Sequence, residues 1–137
     1  MGAEIVSDEP RLVIPFFDED KELIALQGRS FGNEEPKYYT LKVKEENHKV
    51  YGLYRLNKDQ HAYVVEGPID SLFLQNCIAV AGASFDIPQV RELKDNCTIV
   101  FDNEPRNREL VKQIESIIKK GYRVCLWSDS VKEKDIN

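Results

Sequence analysis

Carboxylates at the ends of apolar runs are the first chemistry this sequence offers. In Ala62-Tyr-Val-Val-Glu-Gly-Pro-Ile-Asp70 the β-branched run 62–65 reads as a buried strand, broken at once by Gly67-Pro68. Ile69, Leu72 and Phe73 resume at helical spacing. Glu66 therefore belongs at the carboxyl end of a strand, and Asp70 about one turn into the helix that follows. Cys97-Thr-Ile-Val-Phe101 repeats the grammar, with Asp102-Asn103-Glu104 behind it and a helix opened by Pro105. A third strand, Val124-Cys-Leu-Trp127, leads through a polar loop to Lys134-Asp135-Ile136-Asn137. Open α/β sheets place ligand chemistry at the carboxyl ends of their strands. Carboxylates that converge there hold a hard cation or exchange a proton. Plainer roles exist for each taken alone: Asp102 as the N-cap of the helix at Pro105, Asp135 as a solvated acid.

Elements that could position these residues are legible behind position 60. Strands are expected at 62–66, 77–81, 97–101 and 122–127, and helices at 69–76, 87–95 and 105–120. The last helix is the best defined, with an apolar stripe of Leu110, Val111, Ile114, Ile117 and Ile118. Lys119 and Lys120 close its final turn and Gly121 caps it. Strands separated by single helices imply parallel pairing with right-handed crossovers. Ahead of position 60 no helix is expected. Strands at 11–17, 22–31 and 37–43 are joined by a charged turn at 18–21 and a loop at 32–36. A polar turn at 45–48 then leads to a further extended stretch at 50–56, and residues 1–10 read as a polar terminus or linker. The fold class is α/β, a parallel sheet with flanking helices (61–137) preceded by a small β-rich subdomain (1–60).

Composition narrows the function classes. The 137 residues are 42% hydrophobic and 31% charged, which suits one compact globular domain with a small subdomain. No apolar run approaches the length that crosses a bilayer, and the polar, acidic N-terminus does not read as a signal peptide, so no membrane partner and a cytoplasmic setting are expected. Cys77, Cys97 and Cys125 lie in or beside apolar strands without metal-ligand spacing, so buried free thiols are expected. A net charge of −5 argues against a generic nucleic-acid coat, but not against an enzyme whose acidic site is neutralised by metal ions. Between Pro36 and Lys58 the balance reverses: six basic residues stand against two glutamates, a strip that either faces phosphates or is solvated surface.

Together the acidic motifs resemble the TOPRIM domain shared by bacterial-type DNA primases, topoisomerases and some nucleases. Glu66-Gly67-Pro68-Ile69-Asp70 matches the family's E-G-x-x-D in full. Asp102-Asn103-Glu104 stands where the family has D-x-D, with glutamate in place of its second aspartate and Pro105-Arg106 in place of a small residue and glycine. Ile78-Ala-Val-Ala-Gly-Ala-Ser84 looks like the strand-then-glycine turn between them. The preface narrows the resemblance: Leu12-Val-Ile-Pro-Phe-Phe, Leu26-Gln-Gly-Arg-Ser30, Pro36-Lys-Tyr-Tyr-Thr40 and Val50-Tyr-Gly-Leu-Tyr-Arg55 look like the β-rich segment that precedes TOPRIM in primases.

The resemblance implies a nucleotidyltransferase that makes RNA primers on a single-stranded DNA template from ribonucleoside triphosphates, with a replicative helicase as a further partner, in a bacterial or phage-infected cell. Mg²⁺ or Mn²⁺ is the implied cofactor, held by Asp102, Glu104 and Asp135. Glu66 either ligates a metal or moves a proton, and Asp70 is a further ligand or orients its neighbours. Arg29 and Lys37 are implied to meet nucleotide phosphate or template, against the alternative of a surface pair on a hairpin. Tyr38, Tyr39, Tyr51 and Tyr54 could stack bases or fill a core. No cysteine–histidine cluster for a zinc module and no helical tail for a helicase are expected, which fits a fragment, an excised domain or a minimal viral homologue. Two other classes use the same acids: a TOPRIM metal-dependent nuclease and a non-catalytic TOPRIM scaffold in replication or repair.

Overall fold

Two sheets account for the strands. In a computed structural model that describes residues 10–32, 35–44 and 49–136, β1 (Arg11–Phe17), β2 (Leu23–Ser30) and β3 (Tyr38–Lys42) form an antiparallel sheet in the order β1-β2-β3. The strands β4 (Ala62–Val65), β5 (Cys77–Ala79), β6 (Cys97–Val100) and β7 (Arg123–Cys125) form a parallel sheet in the order β5-β4-β6-β7. The expected α/β architecture with a β-rich preface is therefore present. The expected linker up to residue 9, the turn at 45–48 and residues 33, 34 and 137 lie outside the described residues.

The parallel sheet owes its burial to continuous apolar runs. Val64, Ile78 and Ile99 are fully buried, and the main core gathers them with Phe85, Val90 and Phe101. Strands read this way because both faces are covered, by helices on one side and by the connector and terminal loop on the other. From β4 the chain steps to one side for β5 and returns on the other side for β6. The strand order thus reverses at β4, and the crevice beyond the carboxyl ends of β4 and β6 is the topological switch point where ligands bind in such sheets.

Helical expectations hold best where the helix is long. α3 (Arg108–Lys119) is capped by Asn107, whose side chain accepts from the Leu110 N–H at 3.2 Å. That assigns the cap to Asn107 and leaves Asp102 free of it. Only Ile117 of α3 is fully buried, with Leu110 and Ile114 packed behind it, while Val111 and Ile118 face solvent. The helix expected at 69–76 is a single turn, α1 (Pro68–Ser71), and Leu72 and Phe73 are each 59% exposed. Asn76, at φ 50, turns the chain directly into β5. The helix expected at 87–95 is likewise reduced to α2 (Pro88–Arg91), followed by one 3-10 turn.

Residues 50–56 do not form a fourth preface strand. Tyr51 makes one antiparallel bridge to Ala79, and Gly52, at φ +96, turns the chain into a short 3-10 segment, Leu53–Arg55. Here Arg55, though exposed, is tethered: its guanidinium donates to Ser71 Oγ and the Cys77 carbonyl and lies over the Tyr51 ring. Tyr51 in turn meets Phe16 edge-on at 5.4 Å. Through this bracket, and through Ile14 and Phe16 packing on Ala81 and Ile69, the antiparallel sheet is seated beside the carboxyl ends of β4 and β5. Cys77 and Cys97 are buried as expected, but Cys125 is exposed, because β7 is an edge strand that buries neither flank of Val124.

Candidate functional site

Gly67 and Asp70 explain the first motif. Gly67 is extended (φ −94, ψ 136) and Pro68 occupies the first helical position, so β4 ends and α1 begins within two residues. The Asp70 carboxylate folds back over Gly67; a Cβ on that glycine would lie 3.0 Å from Asp70 Oδ2. Glycine here leaves room for the Asp70 carboxylate, which a Cβ would push aside by a few tenths of an ångström. Beside it the turn after β5 carries Ala81 (φ 52) and Gly82 (φ 92), and the Ala81 N–H donates to the Glu66 carbonyl at 2.8 Å. That bond ties the Glu66 end of β4 to its neighbour.

Asp102 follows β6 in the same way. Trp127 donates its indole N–H to the Phe101 carbonyl at 2.7 Å. Asp70, Asp102 and Asp135, all half-buried, bring one carboxylate oxygen each to within 4.8 Å of one another. Burial, then the charges of Asp70, Glu66 and Asp135, push the Asp102 carboxyl up to about 6, partly offset by Lys134. A hard divalent cation suits this donor set, because oxygen ligands and unrelieved like charge are what such an ion neutralises.

Glu104 stands outside that trio. Its carboxylate pairs with Lys134 Nζ at 3.3 Å and accepts from Asn107 Nδ2 at 3.3 Å. It lines a second groove, which Glu66 and Gly82 share. Of the residues expected to hold metal, the structure brings Asp102 and Asp135 together and adds Asp70 in place of Glu104.

The acids form one wall of a cleft of about 500 Å³ whose other wall is the antiparallel sheet. Cross-strand register puts Ile14, Gln27 and Thr40 in one row of a sheet face and Leu12, Arg29 and Tyr38 in the next. The cleft is lined by Arg29, Lys37 and Lys49 opposite Glu66, Asp70, Asp102 and Asp135. Arg29 and Lys37 both set their cations 5.8 Å from the Tyr38 ring centroid. Tyr38 is 44% exposed, whereas Tyr51 and Tyr54 pack on Phe16 and Phe17.

The basic strip is divided. Lys44 pairs with Asp18 and Glu22, Lys58 with Glu19 and Glu92, and Arg55 is tied to Ser71 and the Cys77 carbonyl, so those three do not line the cleft. Lys49 does, and burial together with the charge of Lys42 lowers its ammonium pKa. Sequence reasoning did not single out Lys49, Lys134 or Gln27 as site residues. Gln27 is 95% buried on the cleft wall, with an Oε1 that has no partner among the described residues. Its only signal was a polar residue on the inward face of an apolar strand.

No protein-family model matches the chain. It is 42% identical over 131 residues to the DNA primase of Enterobacteria phage T4, an alignment covering 94% of this chain and 38% of that protein. The chain therefore spans about two fifths of the length of this curated relative. Among solved structures it matches the E. coli primase catalytic core with a TM-score of 0.68 at 23% identity, over 92% of this chain and 46% of that one. It also matches a primase catalytic domain bound to single-stranded DNA, with a TM-score of 0.65 at 22% identity, over 88% and 45% of the two chains. In sequence the chain is similar to part of a phage DNA primase, and in fold it is similar to primase catalytic cores.

Proposed function

We propose that this chain is the catalytic core of a DNA primase, which joins ribonucleotides into short RNA primers on a single-stranded DNA template. One observation carries the reading: a single cleft opposes Glu66, Asp70, Asp102 and Asp135 with the cations Arg29, Lys37 and Lys49. Kinship to the phage T4 primase supports it, as does the likeness to a primase domain that binds single-stranded DNA.

Asp70, Asp102 and Asp135 are the residues we assign to holding Mg²⁺ or Mn²⁺. Bound there, such an ion would offset charge on phosphate oxygens and lower the cost of attack at the α-phosphate. Glu66 borders both grooves and is assigned to the proton of the attacking 3′-hydroxyl. Glu104 steadies the loop through Lys134 and Asn107, and would join the ligand set where a second ion displaces Lys134. Arg29, Lys37 and Lys49 take phosphate oxygens of the template or the triphosphate, and Tyr38 offers an exposed ring for a base.

Incubation with single-stranded DNA, labelled ribonucleotides and Mg²⁺ or Mn²⁺ tests the proposal. RNA oligomers are the expected product. Shortened DNA would instead make the same acids a metal-dependent nuclease, and neither product would leave a non-catalytic scaffold.

A further inference from the structure

We propose that Asn103 is the positioning residue that seats Asp135 in the acidic cluster, an inference that rests on the metal-holding role proposed above. Asp135 lies in the stretch 126–136, which has no helix or strand, so no ladder places it. Asn103, the middle residue of Asp102-Asn103-Glu104, reaches across to that stretch three times. Its backbone N–H donates to the Lys134 carbonyl at 2.5 Å, and its Nδ2 donates to the carbonyls of Glu133 at 2.9 Å and Val131 at 3.2 Å. On the other side of Asp135, Ile136 packs with Trp127 on a small core containing Val65 and Val100. Asp135 is thus fixed from both flanks, by a polar strap at 131–134 and an apolar anchor at 136.

The strap requires a side-chain amide. An NH₂ group can give one proton to each of two carbonyls. Aspartate at 103 would set a carboxylate against the same two oxygens with nothing to donate, and alanine would leave them to water. The backbone bond survives both of these substitutions, so the loop should loosen rather than leave. Residues that orient a ligand in this way typically change metal affinity by about 10- to 100-fold when removed.

Mn²⁺ titration by calorimetry and limited trypsin digestion, applied to the whole chain, test the inference together. Asn103→Ala should bind Mn²⁺ about tenfold more weakly than the wild type, and Asn103→Asp more weakly still. The two changes should not add: Asn103→Ala in an Asp135→Asn background should cost no further affinity. Cleavage after Lys132 and Lys134 should accelerate in both variants while cleavage within α3 keeps its wild-type rate. Unchanged Mn²⁺ affinity in Asn103→Ala overturns the proposal, as does a full further loss in the double variant. If Asn103→Ala does not fold, Asn103→Ser, which keeps one donor, reads the same cycle. If the wild-type chain binds no Mn²⁺, the proposed function fails, and the digestion alone decides the strap: unchanged cleavage at 132 and 134 overturns it.

Discussion

The two sheets present their candidate functional groups by different physical routes. In the parallel sheet the acids sit beyond strand ends, where β4 and β6 stop and the chain turns. Glu66 and Asp102 take their Cα positions from a ladder whose strands are fully buried at Val64 and Ile99, whereas Asp135 lies in the loop that follows β7. In the antiparallel sheet the cleft-facing side chains lie along one strand face, and the same face packs at Phe16 and Ala25 while it lines the cleft at Gln27 and Arg29. Its other face leaves Val13 and Leu41 exposed. A doubly covered sheet thus brings Asp102 close to Asp70 on the turn after β4, and the loop after β7 adds Asp135 to complete the trio within 4.8 Å. The thinly covered sheet carries Arg29 on its cleft-facing side, with Lys37 and Lys49 lining the same cleft from the segments beside it.

The largest effect that would break this contrast is at a strand end. Glu66→Gln should reduce primer synthesis by about 10²- to 10⁴-fold, because an amide cannot exchange the proton, while single-stranded DNA binding persists. Wild-type product formation by that variant would remove Glu66 from the chemistry.

Asp102→Asn should abolish Mn²⁺ binding and, without metal, stabilise the fold at neutral pH. The sign follows from the raised carboxyl, near 6 in the folded protein against 3.8 for a free side chain. Protonated Asp102 is favoured by folding, so its contribution is present at low pH and is lost as pH rises from 3.8 through about 6. The metal-free wild type should therefore melt at lower temperature at pH 7 than the variant. The difference is on the order of 1–2 kcal/mol after solvent screening, and it should vanish near pH 4. Thermal melts at both pH values check it; a variant less stable at pH 7 would return the carboxylate to a structural role.

On the other sheet, replacing Arg29 and Lys37 together by alanine should weaken binding to single-stranded DNA. It should also flatten the salt dependence by roughly 0.7 in slope for each phosphate no longer neutralised. Mn²⁺ affinity should hardly change, because the acids belong to the other sheet. Titrations at several salt concentrations decide it, and an unaltered slope would make both cations ordinary surface.

The smallest effect sharpens the boundary of the site. Leu72→Ser should change stability by within about 0.5 kcal/mol, since that side chain is 59% exposed. A loss of several kcal/mol in urea denaturation would mean that the apolar spacing after Asp70 marks a buried helix face after all.

Much of the fold was legible because strand burial and helix periodicity are local properties. The runs at 62–65 and 97–100 and the parallel alternation reappear in the structure, and of the stripe on α3 Leu110, Ile114 and Ile117 pack on the core. Element lengths were less legible. Leu72 and Phe73 have helical spacing, but a turn at Asn76 ends the segment first. Asp102 read as the cap of the third helix, but that helix starts later, at Arg108, and its cap is Asn107.

By itself the sequence determined which strands end in acid, that those strands run parallel, and that a β-rich segment precedes them, since each follows from periodicity and turn chemistry read residue by residue. Only the tertiary structure decided which acids meet and which cations face them. Asp70 joins Asp102 and Asp135, Glu104 is drawn aside by Lys134, and Lys49 faces the cleft while Lys44 and Lys58 pair elsewhere. The physical reason is that Asp135 is placed by loop closure through Asn103 and Ile136, and Lys49 by the docking of one sheet on another. Neither leaves a repeating pattern in the chain.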